Sequence, residues 1–146
     1  MPRHGRTAST VSDAVAFDAL SAGTDLGRLE VTVSPSANAR YVAAAGVAHA
    51  ALDAGALYPP IAANLTILLF GQRCPDAMIQ TRQRLRCHRV GRAGAHLVVT
   101  GRVADRYEKR GRTYVDVEAV VHGDDAPGEA LWTSVVTFTP VATFAR

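Results

Sequence analysis

The amino-acid sequence predicts an α+β fold in which a curved antiparallel sheet wraps one long apolar helix. Residues 57–72 form an almost unbroken apolar run introduced by two prolines, as expected for a buried helix. Beyond residue 78, apolar side chains recur at every second position over several long stretches, which is the period of β-strands. Because these strands follow the helices along the chain instead of alternating with them, the pattern indicates α+β.

The chain of 146 residues is predicted to form one folded domain behind an N-terminal extension. Residues 1–26 are polar and rich in alanine, and we expect this extension to be partly disordered, with a short helix over residues 12–20. The folded domain is predicted to span residues 27–146, since no internal repeat or low-complexity linker divides it.

Helix-start and helix-stop signals precede the apolar run. Ser34 is expected to cap a helix that has Pro35 at its first position, because a serine oxygen accepts hydrogen bonds from the first turn. Gly46 is expected to end this helix, since glycine adopts the left-handed conformation without steric cost. The elements predicted in this region are a strand over residues 28–33, a helix over 35–45 and a short helical segment over 47–54.

The apolar run is predicted to be a helix that enters at Pro59 and Pro60 and continues to about Phe70. Apolar side chains lie on nearly every side of it, Ile67 and Leu68 included, so the whole helix is expected to be buried. The strands that follow are separated by turns that contain glycine. They are predicted over residues 78–89, 96–110, 112–122 and 129–139, joined as an antiparallel meander.

Two basic clusters carry much of the net charge of +3. In the first cluster arginines alternate with other residues, which places them on one face of a strand. We interpret the clusters as solvated faces or as surfaces that attract an anionic ligand, such as the phosphates of coenzyme A or an acidic carrier protein. The clusters comprise Arg82, Arg84, Arg86, His88, Arg89 and Arg92, and then Arg102, Arg106, Lys109, Arg110 and Arg112.

Composition and spacing exclude several kinds of partner and site. A nucleic-acid partner is not expected, because no aromatic side chains interleave the arginines. A membrane is not expected either, since no window reaches the ~20 apolar residues that span a bilayer. We recognise no signal peptide and expect a cytoplasmic protein. Cys74 and Cys87 are expected to be reduced, with Cys87 in the core, and neither a metal site nor a cofactor is predicted.

Four stretches give the chain a resemblance to the MaoC-like acyl dehydratases and hydratases, a branch of the hotdog family. Residues 31–46 resemble the opening strand and first helix of that family, and residues 58–62 lie where its central helix begins. Residues 105–115 and 133–139 are similar to a hairpin and to the closing strand. The resemblance implies a single hotdog domain, with a long central helix wrapped by the sheet.

The resemblance also implies an activity and partners. Members add or remove water next to the thioester of acyl groups carried on coenzyme A or acyl carrier protein, and they are usually dimers whose sheets join edge to edge. An aspartate and a histidine, in a pattern like G-D-x-N-P-x-H, provide the acid–base chemistry. Backbone N–H groups stabilise the thioester oxygen, and the start of the central helix is expected to supply them because its first N–H groups lack partners.

The sequence departs from this pattern, so the catalytic residues are sought nearby. Val47 stands where the aspartate is expected, and Pro60, Ile61 and Ala62 replace a glycine at the helix start. His49 and Asp53 are four residues apart, which fits either a rearranged acid–base pair or exposed helical neighbours. Asn64 fits either a water-positioning role, as in thioesterases, or a structural amide. The candidates are His49, Asp53 and Asn64 for catalysis, and Tyr58, Ile61, Ala62, Arg110 and Arg112 for substrate binding.

The leading hypothesis is a MaoC-like hotdog protein that hydrates or dehydrates 2-enoyl- and 3-hydroxyacyl-thioesters. The first alternative is a non-catalytic hotdog subunit of a heteromeric dehydratase, which the missing aspartate favours. The second alternative is an acyl thioesterase. The expected partners are an acyl-CoA or acyl-carrier-protein thioester and a second hotdog chain, either identical or different.

Overall fold

The computed structural model describes residues 13–124 and 126–144. The first part of the predicted extension, including the first residue of its short helix, lies outside the described residues. Within residues 13–20 the only helical part is a 3₁₀ turn, Phe17–Ala19, so the short helix predicted there is wrong. The backbone of Ala16 before this turn and of Leu20 after it is extended, which confines the helical geometry to one turn.

The described residues form one sheet of five antiparallel strands with helices packed on it. The strands are β1 (Asp25–Thr32), β2 (Met78–Cys87), β3 (His96–Lys109), β4 (Arg112–Gly123) and β5 (Ala130–Pro140), in the order β1-β3-β4-β5-β2. The helices are α1 (Pro35–Ala45), α2 (Ala50–Asp53) and α3 (Ile61–Arg73). The predicted α+β architecture is confirmed, but the predicted meander is wrong for its first strand, because β2 pairs with β5 and not with β3. None of the helices in the described part of the chain has the length and apolar character needed to cross a membrane.

The predicted ends of α1 are confirmed. The Ala37 N–H donates to Ser34 Oγ at 3.1 Å, and Pro35 takes the first helical position. At the other end Gly46 has a φ of 66° and donates its N–H to the Ala43 carbonyl. Both ends depend on residues within one turn of the helix, which is why the sequence alone identifies them.

The central helix α3 packs one face against the sheet and leaves the opposite face open. Leu69 and Phe70 are buried, and the rings of Phe70 and Phe138 stack with their centroids 4.5 Å apart. On the other side Ile67 is 37% exposed and Leu68 is 54% exposed. The prediction of burial on all sides is therefore wrong, because a single sheet covers only the side of the helix that it faces.

Residues 13–24 pack against the core, although they precede the predicted start of the domain at residue 27. Phe17 and Leu20 are both members of the buried apolar cluster. Arg106 of β3 donates to the backbone carbonyls of Phe17 and Leu20 at 2.6 and 3.0 Å, and its guanidinium lies over the Phe17 ring.

Each of the two edge strands of the sheet, β1 and β2, carries one irregularity near its start. β1 carries a bulge between Asp25 and Arg28, where Gly27 has a φ of 81°. β2 is 10 residues long and pairs with β5, with one irregularity near its start, between Gln80 and Arg82. No strand among the described residues pairs with the other side of β2.

Candidate functional site

A cavity of about 460 Å³ lies beside α2, at the end of the sheet where β2 finishes with Cys87. Its walls come from residues 47–59, from residues 87–91 and from Trp132 of β5. Most of the lining is apolar, and none of the described residues that line it is Asp or Glu. We call it the α2 cavity. Polar groups on its wall are carried by His49, Tyr58, Cys87, His88 and Arg89.

The buried amide of Asn38 fixes the loop that forms one wall of the α2 cavity. Asn38 lies on α1 and is only 3% exposed. Its Nδ2 donates to the Ala56 carbonyl at 2.9 Å, and its Oδ1 accepts from the Tyr58 N–H at 2.9 Å. The Leu57 N–H donates to the Gly91 carbonyl at 2.9 Å, which ties this loop to the opposite wall. Hydrogen bonds to the backbone therefore hold both walls in place.

His49 caps α2 and contributes to the wall of the α2 cavity. Its Nδ1 accepts a hydrogen bond from the Ala51 N–H at 3.1 Å, so in the neutral imidazole the proton lies on Nε2. A ring nitrogen that already carries a proton donates a hydrogen bond and cannot accept a proton. In this arrangement neutral His49 offers a hydrogen-bond donor and not a general base.

Asp53 does not line the α2 cavity with His49. It lines a separate cavity of about 420 Å³ that also borders Asn38 and Val42 of α1. A helical pairing would need both residues within one helix, but His49 precedes α2 and has an extended backbone with a φ of −155° and a ψ of 134°. The spacing of four residues therefore does not bring the two side chains into one site.

The backbone N–H groups at the start of α3 are already engaged. Pro59 and Pro60 carry no N–H group at all. The N–H groups of Ile61, Ala62 and Ala63 donate to the carbonyls three residues earlier, at 3.1, 3.0 and 3.2 Å. A helix start ordinarily leaves its first N–H groups unpaired, but here the turn through the prolines supplies acceptors. The donors expected for a thioester oxygen are thus occupied in this conformation.

Solved structures of acyl dehydratases and hydratases share this arrangement of helix and sheet. The HadBC (3R-hydroxyacyl-ACP dehydratase) complex from Mycobacterium tuberculosis has a TM-score of 0.66 and 21% identity, covering 81% of this chain and 96% of that chain. The MaoC-like dehydratase from Rhodospirillum rubrum has a TM-score of 0.66 and 16% identity, covering 87% and 97%. The (R)-hydratase from A. caviae involved in PHA biosynthesis has a TM-score of 0.66 and 15% identity, covering 82% and 96%. The chain has the hotdog fold.

The likeness of this hotdog chain to the solved structures extends to the fold and not to the reaction, because the sequence identities are low. No family model and no curated protein sequence matches the chain. What the hotdog domain does is therefore argued from its own side chains.

Asn64, the third candidate catalytic residue of the hotdog domain, does not line the α2 cavity. Its Nδ2 donates to the Tyr41 hydroxyl at 3.1 Å, and both side chains are exposed. Asn64 precedes Ile67 and Leu68 by three and four residues, so it belongs to the open face of α3.

The candidate substrate-binding residues of the hotdog domain fall in three places. Tyr58 lines the α2 cavity, whereas Ile61 and Ala62 are buried in the core at 2% and 0% exposure. Arg110 and Arg112 flank the turn between β3 and β4. That turn lies at the far end of β4 from the cavity, about 30 Å along the nine residues from Val121, the register partner of Trp132, to Arg112, at a rise of ~3.3 Å per residue. One head group bound in the α2 cavity would have to extend over that length to reach either arginine.

One of the two cysteines is exposed and the other is buried. Cys87 is exposed at the end of β2, so the prediction that it lies in the core is wrong. Its register partner is the buried Trp132, but Cys87 lies on an edge strand that has no neighbour to cover its other side. Cys74 is buried, and this burial raises the pKa of its thiol. Both are free thiols.

His88 and Trp132 line the α2 cavity, but the sequence alone did not assign them to the site. His88 Nε2 lies 2.9 Å from Thr133 Oγ1. His88 follows β2 and Trp132 lies on β5, both far in sequence from the α2 loop, so no local pattern connects them with His49. Asn38 did give a signal, as a polar side chain within an alanine-rich helix. Among the described residues, no group of His, Cys, Asp and Glu is suited to holding a metal ion.

Proposed function

We propose that this hotdog chain binds acyl thioesters and is the non-catalytic member of a pair of hotdog chains that hydrate or dehydrate 2-enoyl and 3-hydroxyacyl groups. The observation that carries the proposal is the α2 cavity, an apolar space whose described lining residues include no carboxylate. An apolar wall suits an acyl chain, because burial of apolar surface drives binding. Proton transfer next to a thioester needs an acid–base pair, and this wall lacks the aspartate of the family pattern and holds neutral His49 as a donor.

The backbone around the cavity supports binding without catalysis. The Tyr58 N–H is bonded to Asn38, the Leu57 N–H to Gly91, and the N–H groups at the start of α3 to the preceding turn. Stabilisation of a thioester oxygen is among the largest contributions to this kind of chemistry, and it needs donors that are free to point at the oxygen. In the proposal, those donors and the acid–base pair belong to a second hotdog chain.

The partner and the carrier follow from this assignment. The HadBC dehydratase complex shares the fold, which supports a heteromeric assembly as the setting for such a chain. The acyl group would enter on coenzyme A or on acyl carrier protein. Arg110 and Arg112 remain candidates for contacts with the carrier rather than with the acyl chain, because they lie at the hairpin end of the sheet.

The test of acyl binding uses Trp132, the single tryptophan of the chain, which lines the α2 cavity. Titration of the purified chain with a long-chain acyl-CoA is expected to give a saturable change in tryptophan fluorescence, whereas free coenzyme A gives none. Val47→Arg places a charge on the cavity wall and is expected to weaken acyl-CoA binding by about tenfold or more, because the guanidinium must stay hydrated. Val42→Arg, which alters the other cavity, is the matched control and is expected to leave binding unchanged.

Two outcomes would contradict the proposal. If acyl-CoA produces no saturable change, the chain does not bind acyl thioesters. If the chain alone hydrates a trans-2-enoyl-CoA, it is catalytic and needs no second chain for the reaction.

A hydratase that acts alone is the second candidate, because His49 and His88 line the same cavity. In that case the hydration rate should collapse in His88→Ala, which would identify His88 as the base, and it should fall in His49→Ala through the loss of a hydrogen-bond donor. The location of Asn64 away from the cavity gives the thioesterase alternative no comparable support.

A further inference from the structure

A second cavity adjoins the α2 cavity at Val90 and Gly91. It has a volume of about 310 Å³ and lies between the loop that follows β2 and the end of the sheet where β3 begins and β4 finishes. We call it the loop cavity. Val90 and Gly91 line both cavities, and Val90 is 76% exposed. A ligand that lies over Val90 can therefore enter both cavities at once.

Gly91 keeps the wall between the two cavities thin. A Cβ atom at this position would lie 2.9 Å from Leu57 Cδ1 and 3.3 Å from Leu131 Cδ1. Leu57 lines the α2 cavity, and Leu131 lines the loop cavity. Side chains from the two cavities therefore approach each other at the backbone of Gly91, and the cavities are neighbouring parts of one region of the surface.

Backbone hydrogen bonds hold the loop between β2 and β3 in place. The Ala93 N–H donates to the Gly55 carbonyl at 2.9 Å, and the Gly94 N–H donates to the Val33 carbonyl at 2.7 Å. These bonds fasten the loop on the side of α2 and on the side of β1. A cavity that is already formed in the free protein costs less to fill than one that must be ordered on binding.

The polar side chains of the loop cavity suit a ligand that carries amides. Arg92 offers N–H donors, Asp124 offers a carboxylate acceptor, and the neutral ring of His96 offers one of each. Glu30 approaches the same ring, with its Oε1 3.9 Å from His96 Nε2. An amide has a donor and an acceptor, and its burial is costly unless both find partners. The loop cavity supplies both kinds of partner within one space.

We propose that the loop cavity holds the amide-bearing pantetheine arm on which coenzyme A and acyl carrier protein both carry acyl groups, while the acyl chain lies in the α2 cavity. The thioester then lies near Val90, where the two cavities adjoin. The inference rests on the proposed function, because it assigns a second part of the acyl thioester to a second cavity.

The cavity lined by Asp53 also adjoins the α2 cavity, at Leu52, but it offers fewer partners to an amide. The buried Asn38 amide in its wall already donates to one backbone carbonyl and accepts from one backbone N–H. Ionised Asp53 is an acceptor only. The described lining of that cavity thus includes an acceptor but no charged donor, whereas Arg92 and Asp124 give the loop cavity both.

The test compares two thioesters of the same medium-chain acid, one with methanethiol and one with pantetheine, which differ only in the arm. Trp132 fluorescence reports the binding of either, since Trp132 lines the α2 cavity. The wild type is expected to bind the pantetheine thioester at least about tenfold more tightly, because the arm adds hydrogen bonds and buried surface. Ala95→Phe fills the loop cavity and is expected to abolish this difference while leaving the affinity for the methyl thioester unchanged.

The matched control is Ala39→Phe, which makes the same change on the wall of the cavity lined by Asp53. It is expected to preserve the difference between the two thioesters. Circular dichroism checks that each variant is folded. Arg92→Leu, at an exposed position, keeps the test decisive if Ala95→Phe does not fold. It is expected to weaken binding of the pantetheine thioester alone, by about fivefold or more, through the loss of a charged donor.

Titration with acyl-CoA and with acyl carrier protein bearing the same acyl group distinguishes the two sources of the arm. Whichever carrier binds the wild type is expected to lose at least about tenfold in affinity in Ala95→Phe, because its arm would be displaced. A carrier that binds the wild type and Ala95→Phe equally well would place its arm elsewhere, which would contradict the inference.

Three further results would overturn the inference. The two thioesters could bind the wild type equally, which would leave the arm in solvent, or Ala39→Phe could abolish the difference in place of Ala95→Phe. A third is that Ala95→Phe weakens both thioesters equally, which would mean that the loop cavity does not hold the arm separately. If neither thioester binds the wild type, the proposed function fails as well, and that result differs from each of the three.

Discussion

Asn38 supplies two of the hydrogen bonds that shape the α2 cavity, one as donor and one as acceptor. Its amide is buried, so water cannot replace either bond when the side chain is removed. The ionisable candidates differ in this respect, since His49 and Asp53 are both exposed and water can solvate them. At the scale of single residues, the shape of the cavity therefore depends more on a neutral amide than on the groups selected for catalysis.

Asn38→Ala is expected to lower the free energy of unfolding by about 2–3 kcal/mol, because the Ala56 carbonyl and the Tyr58 N–H would lose their partner in a buried region. Urea denaturation followed by circular dichroism measures the change. Asn64→Ala is the matched control, since its amide is exposed, and it is expected to cost no more than ~0.5 kcal/mol. Equal costs for the two variants would show that the Asn38 bonds do not stabilise the loop.

Gly101 of β3 lies where α3 and the neighbouring strand β4 approach closely. A Cβ atom on Gly101 would lie 2.7 Å from Leu69 Cδ2 and 2.8 Å from the Glu118 carbonyl oxygen. The second of these is backbone and cannot rotate away. Gly71, near the end of α3, has no heavy atom within 4 Å of the corresponding position. At the scale of elements, Gly101 therefore limits how closely the helix and the sheet pack, whereas Gly71 does not.

The two glycines are expected to respond to alanine in opposite directions. Gly101→Ala should lower the free energy of unfolding by about 1–3 kcal/mol, because β3 or α3 must shift to admit the methyl group. Gly71→Ala should raise it by up to ~1 kcal/mol, because alanine favours the helix more than glycine does. Thermal or urea unfolding of both variants measures the changes. A neutral Gly101→Ala would mean that the contact between α3 and β3 is loose.

Long-range contacts join the first described residues to the middle of the chain. The Phe17 N–H donates to Asp76 Oδ2 at 2.9 Å, and the Val15 N–H donates to the Arg73 carbonyl at 2.7 Å. Arg106, 89 residues away from Phe17 in sequence, donates to the Phe17 carbonyl. At the scale of the whole molecule, residues 13–24 therefore fasten the end of α3 to β3.

Phe17→Ala is expected to lower the free energy of unfolding by about 3–5 kcal/mol, since it removes a buried ring from the core and the surface that the Arg106 guanidinium covers. The midpoint of urea denaturation reports the loss. Asp18→Ala is the control, because the Asp18 side chain is 98% exposed and lies 3.8 Å from Arg106. It is expected to change the stability by no more than ~0.5 kcal/mol. A small loss in Phe17→Ala would indicate that this segment only rests on the surface.

The sequence by itself determined the features that depend on neighbouring residues. The cap at Ser34, the stop at Gly46 and the alternation of the strands each follow from interactions within a few positions, and the structure has all of them. The order of these elements was also sufficient to indicate the α+β class, but not the position of β2, which crosses the sheet to pair with β5 instead of β3.

Only the tertiary structure decided which surfaces meet and which stay open. The exposure of Leu68 and Cys87 depends on how far one sheet extends around α3, which no local pattern records. His49 and Asp53 are separated because His49 lies one residue before α2, outside the helix that contains Asp53. His88 reaches the cavity by the pairing of β2 with β5 across 45 residues of sequence. Contacts between distant segments decide these features, and they form only when the chain has folded.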